Sequence, residues 1–585
     1  MSLLSILSNA TNALLNSQAQ INVVSTNIGN AQNPNYSQRS ADVIDKTPQN
    51  GGGTQVVDVT RAVDNTLQNN YLGQTTNAAA ANTVNQLYTQ LEQLTGSSTA
   101  SPVLSSALQT FQNAWAALQA TPEDTTAQAQ VLNSAQALVS TIQNVSHGVE
   151  QIAGQVTTQL GTDVSTLNSS LSQIASLNAQ IVTGRNAGRD TTALEDTRDQ
   201  LITTVAGLVP IQQQHNTDGS IYLSTPSGVT LVQQSGSSFA YDAGTDSLYN
   251  TNDPTKTSLN RALTNGQIGA EIGILANTGS QAASDVNSLN GYLGQLSTIN
   301  AAVTAGTATP AQLAQQAALV TAIQAQLPAT VTVGPNGEQY LSLPTVPPTP
   351  LADAAGAHPL AYNSTTNTVY LASDPTQASL NAALNPGTIA TDVASFTPVA
   401  NPTATGVGVL DKLRSQLNGL ADLFYVPPPG TPSAFQAAYN PNATAGADFF
   451  SGTTGGSSDR FTLTLQATAA TLNTSVATNV AAAFTATTTS FSAGGLSTGP
   501  TNYLGVANAI ASNQSGSAAQ ATSNQTTAAA NTSAAQQAYR SVTGVSSDQQ
   551  LAQLVALQNA YSAAAKIIST VQELETTLLN AVGGA

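Results

Sequence analysis

Both ends of the chain carry apolar residues at heptad spacing, and this pattern limits what the chain can fold into. The N-terminal stripe advances in alternating steps of three and four residues and includes Leu3, Leu7, Leu14, Ile21, Val24 and Ile28. The C-terminal stripe occupies one heptad frame and includes Leu554, Leu557, Tyr561, Ile568, Val571 and Leu578. Such spacing is typical of coiled-coil helices, which need a partner to bury the apolar seam. We therefore predict that these residues form the subunit interface of paired terminal helices; two ordinary core helices are the alternative.

Composition narrows the classes of function. Charged residues make up 7% of the chain and aromatic residues 4%, both below the usual globular share. This predicts slender, closely packed helices around cores with little bulk. The net charge is −17 with 13 Lys and Arg, so the chain lacks the basic surface that nucleic acids or anionic membranes require.

The sequence also argues against several kinds of processing and membrane anchoring. There is no cysteine, which excludes disulfides, thiolate zinc sites and a cysteine nucleophile. No apolar run approaches the ~18 residues of a membrane-spanning helix. The first basic residue is Arg39, so the basic region that begins a secretory signal peptide is missing. We expect export by a route that leaves the N-terminus uncleaved.

Between its ends the sequence changes from a helical pattern to a strand-like pattern and back again. Helical periodicity runs through residues 83–182, including one stripe of more than forty residues from Leu138 to Ile181. Strand-like segments with Asp-Gly and Asn-Gly turns follow, and they are duplicated. Residues 218–224 match 336–342, and residues 249–268 match 370–389. Helical periodicity resumes near residue 503.

These segments predict an α+β chain with a nested architecture, in which terminal coiled-coil helices enclose an elongated helical bundle with two inserted β-rich modules. The predicted domains are a terminal coiled-coil domain (1–35 with 546–585), a helical body with some β-hairpin (36–208 with 405–545), a first β-rich module (209–280), a helical connector (281–328) and a second β-rich module (329–404) that duplicates the first.

Residues that carry chemistry are sparse. The histidines, His147, His215 and His358, lie in separate segments, and no His-Glu-x-x-His zinc motif is present. The acidic residues of the segment 194–201 surround Arg198 and resemble a paired-carboxylate site, but a solvated helix face or a domain-positioning salt bridge is the favoured interpretation. Phosphate loops, nucleophile elbows and dinucleotide fingerprints are absent. We therefore predict no catalytic residue, metal or cofactor.

Residues 25–39 read Ser-Thr-Asn-Ile-Gly-Asn-Ala-Gln-Asn-Pro-Asn-Tyr-Ser-Gln-Arg. This segment, which includes Asn27, resembles the signature of flagellar rod and hook proteins, a helix ending in Asn-Ile-Ala-Asn-x-x-Thr-Pro-Gly-Tyr. We expect Asn30 to adopt a left-handed conformation at the helix end. Pro34 then sets the first corner of a turn, Asn35 takes the positive-φ position where the family has Gly, and Tyr36 anchors the chain after the turn.

Four further segments resemble the flagellar hook-associated protein 1 family in particular. They are 61–67 (Arg-x-x-Asp-x-x-Leu), 194–201 (Leu-x-Asp-x-Arg-Asp-x-Leu), 410–417 and 558–571 (Gln-x-Ala-Tyr-x-Ala-x-Ala-Lys). The family usually carries Glu-Glu where this chain has Gln549-Gln550, a departure that affects any acidic contact at this place. The resemblance covers roughly the first 270 and last 180 residues.

The resemblance implies a structural, non-enzymatic subunit of the extracellular flagellum at the junction between hook and filament, required for filament assembly and exported through the flagellar type III channel. It also implies a ring of identical subunits, contacts with hook protein and hook-associated protein 3, and an export chaperone on the C-terminal helix. Two alternatives stay open: hook or another axial protein, and a secreted adhesin or enzyme carried on axial termini.

Overall fold

A computed structural model describes residues 3–45, 54–96, 102–242, 247–254, 256–260, 262–275, 280–363, 368–385, 389, 408–425, 432–441, 448–451 and 463–583. Residues 390–404, the end of the predicted second β module, lie outside this part. The described helices and strands confirm the predicted α+β class, since the fold is mostly helical with several small antiparallel sheets.

The helices, in chain order, are α1 (Leu3–Gly29), α2 (Asn65–Thr95), α3 (Val103–Ala120), α4 (Thr125–Asn186), α5 (Thr192–Leu208), α6 (Gly266–Leu275), α7 (Ser280–Thr304), α8 (Pro310–Gln326), α9 (Val409–Asp422), α10 (Ala434–Tyr439), α11 (Thr474–Thr485), α12 (Tyr503–Thr543) and α13 (Ser547–Gly583). The predicted long stripe lies on α4, which has 62 residues.

The strands are short and pair in antiparallel hairpins or small sheets. They are β1 (Arg39–Asp45), β2 (Thr54–Arg61), β3 (Gln212–His215), β4 (Ile221–Ser224), β5 (Thr230–Val232), β6 (Phe239–Asp242), β7 (Ser247–Asn250), β8 (Thr330–Val333), β9 (Gln339–Leu343), β10 (Thr349–Asp353), β11 (Gly356–Ala357), β12 (Leu360–Asn363), β13 (Thr368–Leu371), β14 (Phe450–Ser451), β15 (Thr464–Leu465), β16 (Thr489–Ala493) and β17 (Leu496–Thr501). The sheets have the orders β1-β2, β3-β4-β5, β6-β7, β11-β10-β9-β8, β12-β13, β14-β15 and β16-β17.

The chain divides into two compact units. The first unit is Met1–Ala79 with Thr166–Ser237 and Thr527–Ala585, and the second is Ala80–Ser165 with Ser238–Thr526. The first unit contains the paired helices α1 and α13, the hairpin β1–β2, helix α5 and the sheet β3-β4-β5. In the same unit α12 lies on α2, where Tyr71 stacks on Tyr539 and the Thr532 hydroxyl donates to the carbonyl of Gln74.

The second unit has two separate apolar cores, one of which is aromatic. Phe111 and Trp115 on α3 meet aromatic side chains from α10, α11, the segment after α9 and the segment before β14. Seven of the ten Phe residues of the chain and its single Trp lie in this core. The prediction that cores lack bulk is wrong here, because the scarce aromatic residues are concentrated in one place. The other core packs α7 and α8 against the sheet β11-β10-β9-β8 and the hairpin β12–β13.

The duplicated segments form corresponding turns and strands. In the turn before β4, Asn216 N–H donates to Ser220, and in the turn before β9, Gly334 N–H donates to Glu338. Gly219 and Gly337 hold φ angles of +89° and +99° in these turns, a conformation that glycine adopts without steric cost. The hairpins β6–β7 and β12–β13 also correspond along the chain.

None of the described helices combines the length and the apolar character that crossing a membrane requires.

The second unit buries two carboxyl groups side by side. Asp163 on α4 and Glu271 on α6 are 6% and 2% exposed, and the Gln267 amide donates to both at 2.6 and 3.3 Å. Glu271 borders a cavity of about 410 Å³, and half of the residues that line the cavity are glutamines. Burial raises the pKa of Glu271 to about 9, and its hydrogen bond to and repulsion by Asp163 act in the same direction. Glu271 is therefore protonated at neutral pH.

We predict that Glu271→Gln stabilises the protein at pH 7. The folded chain keeps a proton that the unfolded chain releases above its ordinary pKa, so stability is full below about pH 4.5 and is lost as pH rises toward about 9. A neutral amide removes this dependence, and the expected gain at pH 7 is of the order of 2–3 kcal/mol.

The measurement is thermal unfolding at several pH values, with Glu150→Gln, at a partly exposed position of α4, as the matched control. An equal pH slope in wild type and Glu271→Gln would contradict the buried, protonated carboxyl.

Candidate assembly site at the chain termini

Helices α1 and α13 pack together along the predicted heptad seam. Val24, Ala10, Ala564 and Val571 are 2–5% exposed at its centre. Half-buried seam residues are Leu7, Leu14, Ile21, Ile28, Leu554, Leu557, Tyr561 and Ile568, whereas Leu3 and Leu578 are 36% and 56% exposed. The seam is thus formed within the single chain over most of its length, and its role between subunits stays a prediction.

The paired helices leave large apolar side chains in solvent. On α1 these are Leu3, Leu4 and Leu15, and on α13 they are Leu551, Val555, Ile567, Leu574, Leu578 and Leu579. Several lie on a face of α13 other than the seam. Exposed apolar side chains in such numbers along one helix are typical of protein contact surfaces.

The segment after α1 is a tight turn without positive φ angles. Tyr36 N–H donates to the Asn33 carbonyl at 3.3 Å, which places Pro34 at the first corner of the turn. The Asn33 side chain accepts from Asn35 N–H at 3.1 Å. Among the described residues other than glycine, only Lys256 and Gln377 have positive φ.

The predicted left-handed conformations of Asn30 and Asn35 are therefore wrong. The chain reverses through consecutive right-handed turns, and a turn of this type needs no positive φ at its second corner. Asn30 instead donates its side-chain amide to the Thr26 carbonyl at 2.9 Å and so ends the helix. An asparagine at position 35 in place of the family's glycine consequently carries no conformational penalty.

Asn27 connects both ends of the chain through one buried amide. Its side chain is 1% exposed, and its Oδ1 accepts from the Tyr36 hydroxyl at 2.7 Å and from Arg39 N–H at 3.0 Å. Its Nδ2 donates to the Arg39 carbonyl at 2.8 Å and to Gln550 Oε1 on α13 at 2.9 Å. All four hydrogen-bonding positions of the amide are satisfied, so this side chain fixes the turn, the start of β1 and α13 together.

Gln550 stands where the resembling family usually has an acid. It is 3% exposed and meets Asn27 through its oxygen. Because a carboxylate oxygen accepts the same hydrogen bond, the change from Glu to Gln preserves this contact and avoids burying a charge.

A second contact ties β1 to the end of α12. Gln38 N–H donates to the Thr543 carbonyl at 2.7 Å. The Arg39 guanidinium lies over the ring of Tyr36, 4.8 Å from its centroid. Burial raises the pKa of Tyr36 to about 12, so its hydroxyl stays protonated and can donate to Asn27.

An ionic cluster joins the β1–β2 hairpin to α5. The hairpin register places Arg39 directly opposite Arg61. Like charges in that arrangement repel, and three carboxylates of α5 offset the repulsion. Arg61 contacts Glu195 at 3.1 Å, Asp196 at 2.7 Å and Asp199 at 2.9 Å. Arg39 contacts the second oxygen of Asp196 at 3.2 Å.

The cluster is buried and its charges are mutually stabilised. The side chains of Arg61 and the three acids are 7–13% exposed. Burial opposes ionisation of Glu195, but hydrogen bonds from Arg185 and Thr191 and the charges of Arg61 and Arg185 lower its pKa overall. Burial likewise disfavours a charged Arg61, and the carboxylates raise its pKa nonetheless. Both shifts favour the charged forms of Glu195 and Arg61.

This geometry decides between the two favoured interpretations of the acidic segment 194–201, a solvated helix face and a domain-positioning salt bridge. A solvated helix face is wrong, because the carboxylates are buried. The domain-positioning salt bridge is what the contacts show, since every acid is held by an arginine of the hairpin. Within the described ranges, no three His, Asp or Glu side chains come together as a metal site.

Two contacts escaped sequence reasoning. Asn16 on α1 is 7% exposed, donates to the Thr54 hydroxyl at 2.7 Å and accepts from Val56 N–H at 2.9 Å, so it holds β2. The second is the ionic cluster: Arg61 lies in the segment 61–67 and its acidic partners lie in the segment 194–201, and neither segment alone indicates that the two pair. In a chain with 7% charged residues, two motifs of opposite charge are themselves a signal of pairing.

Comparison with known proteins gives several relatives. Flagellar hook-associated protein 1 of Salmonella typhimurium is 28% identical over 263 residues, which is 44% of this chain and 46% of the relative. That of Bacillus subtilis is 28% identical over 240 residues, 39% of this chain and 47% of the relative. That of Escherichia coli is 26% identical and covers 40% and 43%. The chain thus spans less than half the length of each of these relatives.

Among solved structures, the flagellar hook junction protein FlgK from Burkholderia pseudomallei is similar, with 22% identity and a TM-score of 0.33 over 40% of this chain and 43% of that chain.

Two family descriptions match the chain. Residues 88–278 match the flagellar hook-associated protein FlgK helical domain, and residues 535–581, on α12 and α13, match the C-terminal segment of the flagellar basal body rod FlgEFG proteins. These matches span less than half of the chain and show that it is similar to components of the bacterial flagellum. Within that class, it is similar to the flagellar hook-associated protein 1 (FlgK) family. This is a family of structural proteins and not of enzymes.

We predict that Asn27→Ala loosens the joined chain ends. The change removes four hydrogen bonds and leaves buried partners unsatisfied, so the local free energy of unfolding should fall by about 2–4 kcal/mol. The measurement is hydrogen exchange of the backbone amides of β1 and of the first turns of α13.

Asn30→Ala is the matched control, because the Asn30 side chain donates to the Thr26 carbonyl and accepts from the Asn33 amide at exposed positions, and the loss of these bonds should cost less than about 1 kcal/mol. Equal effects of the two substitutions would show that the Asn27 amide has no special role.

Proposed function

We propose that this chain is a structural subunit of the junction between hook and filament in the bacterial flagellum, and that filament assembly requires it. The similarity to that family supports this proposal, since the curated relatives that the chain resembles are named flagellar hook-associated protein 1. We further propose that it acts outside the cell, as an exported part of the flagellum.

One observation carries the proposal for assembly. Helix α13 packs on α1 along the seam yet keeps six large apolar side chains in solvent: Leu551, Val555, Ile567, Leu574, Leu578 and Leu579. Each of these side chains is about half exposed in the single chain, so burying it against a neighbour is favourable by about 1–1.5 kcal/mol. Heterologous contacts of this kind, repeated around an axis, generate a ring.

The proposed partners follow from the same surface and from the family. They are further copies of this chain in a ring, hook protein on one side and hook-associated protein 3 on the other. Before export, a chaperone would cover the exposed apolar face of α13. In this proposal the predicted terminal domain (1–35 with 546–585) makes the axial contacts, and the β-rich modules are peripheral.

The first test is electron microscopy of flagella from a strain that lacks this gene, with flagellin assayed in the medium. Complete hooks without filaments, together with flagellin lost to the medium, are the expected result. Missing hooks would assign the chain to the hook or rod instead. Normal filaments would overturn the axial function and redirect attention to a binding activity of the β modules.

A second prediction concerns the exposed face of α13. Ile567→Glu with Leu574→Glu should abolish most filaments, because the contacts of two half-exposed apolar side chains outside the seam, worth about 2–3 kcal/mol per interface, would be lost. That loss weakens association by more than about tenfold. The readout is the number of filaments per cell in a complemented strain.

Gln572→Glu with Thr576→Glu adds the same charge at exposed polar positions of the same helix and should support normal filaments. If both double variants behave alike, the apolar face of α13 is not an assembly contact.

A further inference from the structure

The duplication extends beyond the β strands into the helices that precede them. Asn178 on α4 donates to the Ile221 carbonyl at 2.8 Å and accepts from Ile221 N–H at 3.1 Å. Asn300 on α7 makes the same pair of bonds with Gln339, at 2.8 and 3.0 Å. In each copy, one helix asparagine thus holds the strand that follows the glycine turn.

The next helix of each copy supports this asparagine in the same way. Arg198 on α5 donates to Asn178 Oδ1 at 3.0 Å and to the Gly219 carbonyl at 2.7 Å. Gln316 on α8, 118 positions later (316 − 198), donates to Asn300 Oδ1 at 2.8 Å and to the Gly337 carbonyl at 3.4 Å. Because a neutral amide fulfils this role in the second copy, the fold of the module needs a donor there and not a charge.

The same offset shows which charges differ between the copies. Glu195, Asp196 and Asp199 of α5 correspond to Leu313, Ala314 and Ala317 of α8. Glu195 is 7% exposed, whereas Leu313 is 46% exposed. The second copy therefore keeps the bonds around the helix asparagine and has neutral residues at every position that binds Arg39 or Arg61 in the first copy. The bonds of Glu195 to Arg185 and Thr191 have no counterpart at Leu313.

We propose that Glu195, Asp196 and Asp199 are specificity-determining residues that dock the β1–β2 hairpin on α5, and that the module folds without them. The partner they recognise is a two-stranded ribbon that presents two arginines side by side, as Arg39 and Arg61 do in their shared register. The second module is a copy without this recognition surface.

The test transfers the residues of α8 onto α5 in the full-length chain. In the triple variant Glu195→Leu, Asp196→Ala, Asp199→Ala, amide hydrogen-exchange protection of β1 and β2 should fall on the order of a hundredfold or more. Protection of β4 and β5 should stay within about threefold of wild type. Loss of protection in β4 and β5 would show that the acids are needed for the fold, and unchanged protection in β1 and β2 would show that they do not dock the hairpin; either result overturns the proposal.

Two further variants keep the test decisive if the triple variant fails to fold. Arg198→Gln should leave β4 and β5 protected, because glutamine makes the corresponding bonds in the second copy; unfolding of these strands would refute the use of that copy as a guide. Arg61→Gln should release the hairpin alone. The reciprocal control, Leu313→Glu with Ala317→Asp, alters two exposed positions of α8 and should leave β8 and β9 protected.

Discussion

A single buried amide, that of Asn27, holds together the elements on which the first unit depends. It lies in the last turn of α1, and its four hydrogen bonds reach the turn, the first strand and α13. A buried polar group is stable only when all its bonding positions are used, so this arrangement tolerates few alternatives. The direction in which the chain leaves α1 is thereby coupled to the position of the C-terminal helix.

The ionic cluster has a complementary role in a chain with so few charges. Surface salt bridges usually add little, but this cluster is buried and one arginine meets three carboxylates. Its members come from distant parts of the sequence, and its geometry depends on the register that sets Arg39 beside Arg61. Charged side chains thus dock the hairpin, whereas neutral amides join the chain ends, and the two sets of contacts are separate. Salt or acid should weaken the first much more than the second.

Periodicity predicted the elements whose residues share one face. The heptad frame on α13 matches the residues that pack on α1, and the long stripe matches α4. The position of the turn after α1 was predicted correctly, but its conformation was not. The Asn33 side chain accepts a hydrogen bond within the turn, and the composition of the segment does not reveal this bond. The aromatic core escaped prediction because Phe111 and its partners come from segments far apart in sequence. The sequence shows the internal duplication at the turns. Its extension to Asn178 and Asn300 is recognised only from their hydrogen bonds, because the helices of the two copies share only isolated residues.

The most direct test of the account is a double-mutant cycle between Asn27 and Gln550, read out by the stability of the α1–α13 pair in the full-length protein. Asn27→Ala and Gln550→Ala, alone and together, isolate the interaction between the two ends of the chain. The account predicts a coupling energy of about 1 kcal/mol or more, as expected for a buried hydrogen bond. Additive effects, with a coupling below about 0.3 kcal/mol, would contradict a direct link between the chain ends through this amide.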